Sequence, residues 1–420
     1  MSFNDCVLAI VIAAVLILAG TALISALPTP QKRTVRTHFI LSFCASLVLL
    51  SAYWNLSAIW GNQRQGFSYS DDEAYHLKGQ IMADSGDIFD TKDRNPGFTI
   101  WTAILYKTFG VNTIIVRIFN IFFRCLWTVP IAFIAPIYNN VRITRLAIVL
   151  TAWAPSPILA SILHIKDLIA GLALLTVLAS IIYIEKSRIS AVSLLCAVAV
   201  LWWVRRDVLA LIAVIALIYL CGLLLRRRVT LRGAVTLTAL VLVVAYNLPD
   251  IIQNWGSTRA STDVPIAIFR YISHNVGNAR GLAPFFINNV GEIWKLPFTM
   301  AVLLIMPFPP KLNGDDVFQI ANSLASLYIL ALLPFVFIGC IDSLRKWAGA
   351  SFPAYGGFLG CGALIAVAFP GTPRYREQLL GLFCLLAALG IVRLQSYRWL
   401  FVGVTVCLSC ALVVGTVIYF

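Results

Sequence analysis

Long apolar runs recur along the chain, and they constrain its fold more than any other feature. Hydrophobic residues make up 60% of the 420 residues, and the mean hydropathy is +0.88. The runs are roughly 17 to 25 residues long, the length that a helix needs to cross a hydrocarbon core about 30 Å thick. The sequence therefore predicts an all-α fold, a polytopic helical bundle in a membrane.

The chain is expected to form a single transmembrane domain over residues 1–420. No stretch is both polar enough and long enough to fold as a separate soluble domain. The longest segments outside the apolar runs are two predicted outer loops, at about residues 61–111 and about residues 250–317. The first apolar run, from Cys6 to Leu27, lacks a basic leader and is long enough to span, so it is predicted to be a retained helix.

The formal net charge of +14 comes mostly from short basic clusters between the apolar runs. Lysine and arginine in such places act as topology signals, which argues against nucleic acid as a partner. With the clusters on the cytoplasmic side, the chain makes about twelve crossings and both of its ends lie outside. The clusters are Lys32–Arg36, Arg142–Arg145, Lys186–Arg188, Arg226–Arg232, Arg345–Lys346 and Arg393–Arg398.

The sequence carries no signal for a nucleotide cofactor, and it leaves a requirement for a divalent metal ion open. It has no glycine-rich nucleotide loop, so neither ATP nor NAD is expected. Its ten cysteines lie in or beside apolar runs without a CxxC pair, which argues against a disulfide or a metal site. The histidines His76, His164 and His274 are scattered along the chain, so no zinc site is predicted.

Three consecutive carboxylates lie in the first large outer loop, at Asp71, Asp72 and Glu73. Only 18 residues of the chain are Asp or Glu, so a cluster beside an apolar run indicates chemistry at a membrane surface. Asp72 is a candidate general base toward a hydroxyl or an amine. The alternative is a solvated loop in which an aspartate caps a helix, and the two roles are compatible.

The rest of this loop has helical character. Residues 73–83 are predicted to be helical, Ser85–Asp87 to break the helix, and Asn95–Gly97 to open a second short helix that ends near Phe109. Both helices carry apolar faces, so we expect them to lie along the membrane interface. A further half-length run, Phe298–Met306, is too short to span and is predicted to be re-entrant or interfacial.

Four arginines fall on the predicted outer face, against the positive-inside tendency: Arg205, Arg206, Arg374 and Arg376. Their repetition in two loops indicates an anionic ligand, and the membrane offers a lipid phosphate. Arg374 and Arg376 flank Tyr375, and in an extended segment they point the same way, which suits a two-pronged hold on phosphate. Snorkelling of these arginines to lipid headgroups is the alternative.

A turn that contains His164, Lys166 and Asp167 falls on the same outer face. Lys166 and Asp167 have two interpretations, an internal ion pair or a contact with a donor substrate. In both, the turn shares the predicted outer face with the acidic loop.

The order of these motifs resembles the C-type glycosyltransferase superfamily, in particular bacterial glycosyltransferase family 39 and the protein mannosyltransferases. No single motif is specific, but together they cover most of the chain at family spacing. The resembling segments are Asp72–Tyr75, Asn95–Gly97 through Leu105–Tyr106, Phe109–Gly110, Arg117 with Asn120, Pro155, Lys166–Asp167 and Arg374–Arg376.

The resemblance implies an inverting sugar transfer from a polyprenyl-phosphate donor, which is a substrate and not a cofactor. It makes Asp72 the base, with Asp71 as the main rival and Glu73 beside them. It implies that arginines hold the leaving phosphate. The residues expected to bind the donor phosphate are Arg374, Arg376, Arg205, Arg206 and Lys166. Those expected to line the substrate cavity are Tyr75, His164, Asp167 and Tyr375.

The resemblance also implies a cellular location and an acceptor. The enzyme would be a multi-pass protein of the bacterial cytoplasmic membrane, with its site facing the periplasm or exterior. The acceptor would be a glycan, a lipid-linked glycan or a protein. The chain departs from better-known members by lacking a large soluble C-terminal domain and by an apparent additional N-terminal helix, and both departures bear on the acceptor.

Two other functions compete with this interpretation. An O-antigen polymerase or ligase also joins lipid-linked sugars, and Arg259, Arg270 and Arg280 in the second large loop match its arginine-rich outer loop moderately. A flippase or transporter would be a different class. Internal symmetry and paired broken helices would be expected for it, and the sequence shows neither.

Overall fold

The computed structural model describes residues 3–59, 70–89, 96–184, 187–206, 317–345 and 377–419, with scattered positions at 208–242, 294–295 and 359. Every regular element in these ranges is helical, as the apolar runs predict. The second large loop, the half-length run at 298–306 and the segment 353–369 lie outside the described residues, apart from those scattered positions.

Thirteen α-helices are described, and two short 3-10 segments follow α6 and α12. The helices are α1 (Phe3–Ala26), α2 (Lys32–Ile59), α3 (Ser70–Ser85), α4 (Gly97–Phe109), α5 (Thr113–Cys125), α6 (Thr128–Ile134), α7 (Val141–Trp153), α8 (Pro155–Ser161), α9 (Asp167–Tyr183), α10 (Arg188–Val204), α11 (Val317–Arg345), α12 (Leu380–Arg393) and α13 (Arg398–Tyr419).

Five helical stretches among the described residues are long and apolar enough to cross a membrane, which supports a membrane protein. A sixth candidate is the bent pair α7 and α8. The predicted total of about twelve crossings stays a prediction. The five stretches are Asn4–Ala26, Lys32–Leu56, Thr113–Tyr138, Ala325–Leu344 and Glu377–Val406.

The break between α7 and α8 comes from a proline. Pro155 occupies the first position of α8 and Ala154 before it is extended (φ −61°, ψ 118°), because the proline ring disfavours helical geometry in the preceding residue. The two helices bend by 42° at this point. The bend brings the turn at residues 162–166, which follows α8, into the interior of the bundle, where its residues are mostly buried.

Helix α9 lies at the centre of the bundle and packs against α5, α6, α10 and α12. It is buried along most of its length, as expected for a helix that is apolar on all sides. Its first turn is fixed by Trp127, the residue just before α6, whose indole Nε1 donates to the Leu168 carbonyl at 3.0 Å. The Trp127 ring also fills the space beside Gly171, where a Cβ would collide with it.

A buried arginine lies within the span formed by α5 and α6. Arg124 donates from Nη2 to the Ser46 hydroxyl of α2 and from Nη1 to the Cys125 sulfur, both at 3.4 Å. A charge inside a membrane span is costly unless polar groups surround it. These contacts tie α2 to α5 through polar groups within two of the candidate spans.

Helices α3 and α4 pack against each other, and α4 also contacts α5 and α10. The predicted break between them is present at Gly86, whose φ of +79° suits glycine. Helix α3 begins at Ser70, three residues earlier than the predicted start. Leu77, Ile81 and Ile104 are exposed on this pair, and their burial in a membrane interface stays a prediction.

Helices α11 and α12 cross closely at two glycines. A Cβ on Gly339 would overlap the carbonyl oxygen of Leu386, and a Cβ on Gly390 would overlap the carbonyl oxygen of Phe335. Small residues at a crossing allow helix backbones to approach in a membrane. The crossing therefore depends on the absence of side chains at both positions.

The substitution Gly390→Ala is expected to destabilise the protein by about 1–3 kcal/mol, since overpacking forces the two backbones apart. The thermal midpoint of the purified protein in detergent is the measurement. Gly403→Ala is the matched control, because nothing lies within 4 Å of a Cβ there and alanine favours a helix over glycine. Equal midpoints for the two variants would contradict the described crossing.

Candidate functional site

The acidic cluster forms the first turn of α3. Asp72 is fully buried, and its Oδ1 accepts a hydrogen bond from the backbone N–H of Glu73 at 3.0 Å. A carboxylate in the first turn compensates for the unpaired N–H groups and the positive end of the helix dipole. Asp72 thus occupies a helix start but is shielded from water. The side chain of Asp71 lies outside the described residues.

The charge facing this carboxylate belongs to Arg117 of α5, which is fully buried. Asp72 and Tyr106 both interact electrostatically with its guanidinium. The guanidinium also lies over the Trp54 ring, with Cζ 5.5 Å from the ring centroid, in a cation–π arrangement. Burying a charge is costly unless it is compensated, and here a carboxylate and an aromatic ring supply compensation.

Two histidines that are far apart in the sequence, His76 and His164, meet beside this charge pair. The ring centroids of His76 and His164 are 6.4 Å apart. His76 Nδ1 is hydrogen-bonded to the Tyr106 hydroxyl at 2.7 Å, and His164 Nε2 to the Thr102 hydroxyl at 2.9 Å. His274 lies outside the described residues.

Both imidazoles are shifted toward the neutral form. Burial lowers the pKa of His76, the positive charge of Arg117 lowers it further, and Glu73 opposes this by raising it. The pKa of His164 lies well below its ordinary value because of burial, Arg117 and His76. Burial raises the pKa of Tyr106, so this hydroxyl stays protonated. We call Asp72, Arg117, His76, His164 and Tyr106 the buried cluster. At neutral pH it therefore holds two neutral imidazoles and a neutral phenol beside one guanidinium.

The turn before α9 is fixed by α5. The Asn120 side chain donates from Nδ2 to the Leu163 carbonyl at 2.8 Å and to the Ile165 carbonyl at 3.1 Å. The ammonium of Lys166 lies 5.5 Å from the centroid of the Tyr75 ring. The structure thus brings three predicted site residues, Tyr75, His164 and Lys166, to the side of the bundle that holds Asp72.

Asp167 is engaged by Arg205. The Nη2 of Arg205 lies 2.6 Å from the Asp167 Oδ1, and both side chains are buried. Gln378, just before α12, donates to the same oxygen at 3.1 Å. A bridge that joins α9, α10 and α12 through one carboxylate is expected to position the turn. Arg205, predicted to bind a lipid phosphate, is thus committed to a buried ion pair.

The remaining predicted arginines lie elsewhere or outside the described part of the chain. The guanidinium of Arg206 is 4.8 Å from the centroid of the Trp202 ring, and its Nε donates to the Trp202 carbonyl at 3.1 Å. Residues Arg374–Arg376 lie outside the described residues. The next residue, Glu377, is buried and accepts a hydrogen bond from the Ser156 hydroxyl of α8.

Three residues of the cluster were not predicted as site residues: Arg117, His76 and Tyr106. A charged residue inside an apolar run is a functional signal by itself, and Arg117 carries that signal in the sequence. His76 follows Asp72 by four positions, which places both on one face of a helix. Tyr106 carries no such signal in the sequence. Its role is visible only in the structure, where its hydroxyl on α4 is hydrogen-bonded to His76 on α3.

The cluster offers no evident metal site. Among the described residues, no group of three or more His, Cys, Asp and Glu side chains could hold a metal ion. The two histidines share their surroundings with the positive charge of Arg117, which disfavours a bound cation.

Acidification is expected to weaken the fold around the histidine pair. The folded-state pKa values of His76 and His164 are below the ordinary value of 6.5, so below pH 6.5 the unfolded chain binds more protons and the folded state loses stability. Thermal midpoints in detergent should fall as the pH drops through this range. The double variant His76→Gln, His164→Gln should fall less steeply, and identical pH profiles would contradict the burial described here.

The Asp167–Arg205 pair gives a second test. Arg205→Ala leaves a buried carboxylate without its cation and is expected to cost about 3–5 kcal/mol, measured as the unfolding midpoint in detergent. The double variant Arg205→Met, Asp167→Leu removes both charges and should recover most of that stability. A double variant no more stable than the single one would show that the two charges do not depend on each other.

Comparison with known proteins assigns no role to these residues. No protein-family model matches the chain, and no curated protein matches its sequence. The likeness to C-type glycosyltransferases therefore rests on the order of the motifs, and the function has to come from the chemistry of the site.

Proposed function

We propose that the protein is a membrane glycosyltransferase that moves a sugar from a polyprenyl-phosphate carrier to an acceptor hydroxyl on the extracytoplasmic face of a bacterial cytoplasmic membrane. The observation that carries the proposal is Asp72, a fully buried carboxylate beside the charge of Arg117. Carboxylates are seldom buried unless they are paired or have a function. The motif order, which resembles that of C-type glycosyltransferases, supports the same role for this residue.

Asp72 is the general base in this proposal. Its carboxylate interacts electrostatically with the guanidinium of Arg117, and a carboxylate oxygen is a proton acceptor. Asp72 takes the proton of the acceptor hydroxyl as the acceptor oxygen bonds to the anomeric carbon. The bond from that carbon to the phosphate oxygen breaks on the opposite side, so the configuration inverts.

Arginines would stabilise the leaving phosphate. Arg374 and Arg376 are the preferred residues, because an arginine pair can hold a phosphate with parallel hydrogen bonds. They directly precede Glu377, which the structure anchors to Ser156. Arg205 positions the turn before α9 in this proposal and does not bind the phosphate, since breaking its buried pair with Asp167 would be costly.

The turn before α9 supplies groups for the sugar. His164 Nδ1 is buried and has no hydrogen-bond partner within the part of the chain that the structure describes. A buried polar atom of this kind commonly binds a ligand or a water. Tyr75 and Lys166 lie at the same turn, and aromatic and cationic groups of this kind suit the sugar and the phosphate. The acceptor is proposed only as a glycan, a lipid-linked glycan or a protein.

The substitution Asp72→Asn is expected to lower sugar transfer by about 10²–10⁴-fold, because the amide keeps the shape but cannot accept the proton. Transfer is measured as radiolabelled sugar moved from a panel of polyprenyl-phosphate-linked hexoses and pentoses, in membranes that contain equal amounts of each variant. Asp71→Asn is the matched control one residue away.

Full activity in Asp72→Asn would remove Asp72 from the reaction. Loss of transfer in Asp71→Asn alone would make that neighbour the base. If wild-type membranes transfer no sugar from any member of the panel, while they join preassembled lipid-linked glycans, the polymerase or ligase alternative replaces the proposal.

A further inference from the structure

Helix α3 carries two carboxylates and a histidine, Asp72, Glu73 and His76, at spacings that make them neighbours on the helix surface. Asp72 and His76 are four residues apart, and Glu73 and His76 are three apart, so both pairs are neighbours on the helix surface. Asp72 is fully buried, His76 is 7% exposed, and Glu73 is only partly buried. His76 therefore lies between a carboxylate shielded from water and one that reaches toward it.

The ring of His76 is held from α4. The Tyr106 hydroxyl is 2.7 Å from its Nδ1, and the two rings meet edge to face with centroids 5.6 Å apart. Burial raises the pKa of Tyr106, so this phenol keeps its proton and does not compete as a base. On the far side, His164 closes the cluster with its ring centroid 6.3 Å from that of Tyr106. The imidazole is thus held in place by α4, one helical turn after Asp72 on α3.

A buried base needs a route by which its proton leaves. Each sugar transfer would place one proton on Asp72, and Asp72 can act again only after losing it. Asp72 has no exposed surface in the structure, so a side chain beside it is better placed than bulk water to take the proton. We propose that His76 carries the proton from Asp72 toward Glu73 and the aqueous side after each transfer. This inference rests on the proposed function of Asp72.

The transfer and the return of Asp72 to its ionised form need no reactant beyond the donor, the acceptor and water. The acceptor O–H bond breaks, its proton bonds to a carboxylate oxygen of Asp72, and its electron pair bonds to the anomeric carbon as the phosphate leaves with the electrons of the broken C–O bond. The new O–H bond of Asp72 then breaks as a ring nitrogen of His76 accepts the proton. The imidazolium passes that proton to the Glu73 carboxylate or to water.

The charges around His76 suit a proton carrier whose imidazole is neutral before each transfer. Burial and Arg117 lower the pKa of His76, and Glu73 raises it. The other titratable groups beside it are Tyr106 on α4 and His164 on the turn before α9, and Asp72 lies one helical turn earlier on α3. The imidazole is therefore neutral before it accepts a proton, and the nearby guanidinium favours rapid release.

The test is His76→Gln, whose amide can still hydrogen-bond to Tyr106 but cannot carry a proton. Turnover should fall about tenfold or more, while the KM for the lipid-linked donor stays unchanged. Imidazole added to the assay should restore part of the lost turnover. The pH profile of turnover should lose its dependence on a histidine whose pKa is lowered from the ordinary value. Asp72→Asn should gain nothing from imidazole.

The matched control is His38→Gln. His38 lies on α2 away from the cluster, and its Nδ1 also has one hydrogen-bond partner, the indole N–H of Trp153 at 3.1 Å. This variant should keep wild-type turnover and pH profile. Full turnover in His76→Gln would overturn the inference, and so would a loss with neither imidazole rescue nor a changed pH profile. Activity in Asp72→Asn would instead overturn the proposed function.

Discussion

The carboxylate of Asp167 is the contact on which the candidate site depends most. It accepts from Arg205, which directly follows α10, and from Gln378 before α12, while its own backbone begins α9. Three parts of the bundle therefore converge on one buried charge. The turn that carries His164 and Lys166 ends at this residue, so the position of both follows from it. A buried pair contributes geometry more than net stability, because its desolvation offsets much of its attraction.

Local patterns predicted the helices well. The apolar length of α1, the break at Gly86 and the start of α4 at Gly97 all depend on short stretches of sequence, and helix signals are local by nature. The number of crossings was not predictable in the same way. Helices α9 and α10 are apolar but shorter than a usual span, and hydropathy alone does not tell a short span from a buried core helix.

The site was predicted in part, and its missing members show why. Asp72, Tyr75 and Lys166 were found from charge and motif order. The partner of Asp167 was not, because Arg205 is 38 positions away and Gln378 is 211 positions away, and no local pattern encodes such contacts. The sequence allowed Lys166 as the partner of Asp167 because the two residues are adjacent. In the structure the Lys166 ammonium lies over the Tyr75 ring.

The glycine crossing of α11 and α12 has a consequence for how a long lipid would arrive. Where a single Cβ does not fit beside Gly339 or Gly390, an isoprenoid chain does not fit either. No acyl or isoprenoid chain could therefore pass between α11 and α12 at these two positions. If the substrate is the proposed polyprenyl-linked sugar, its tail reaches the site by a path that does not run through this crossing.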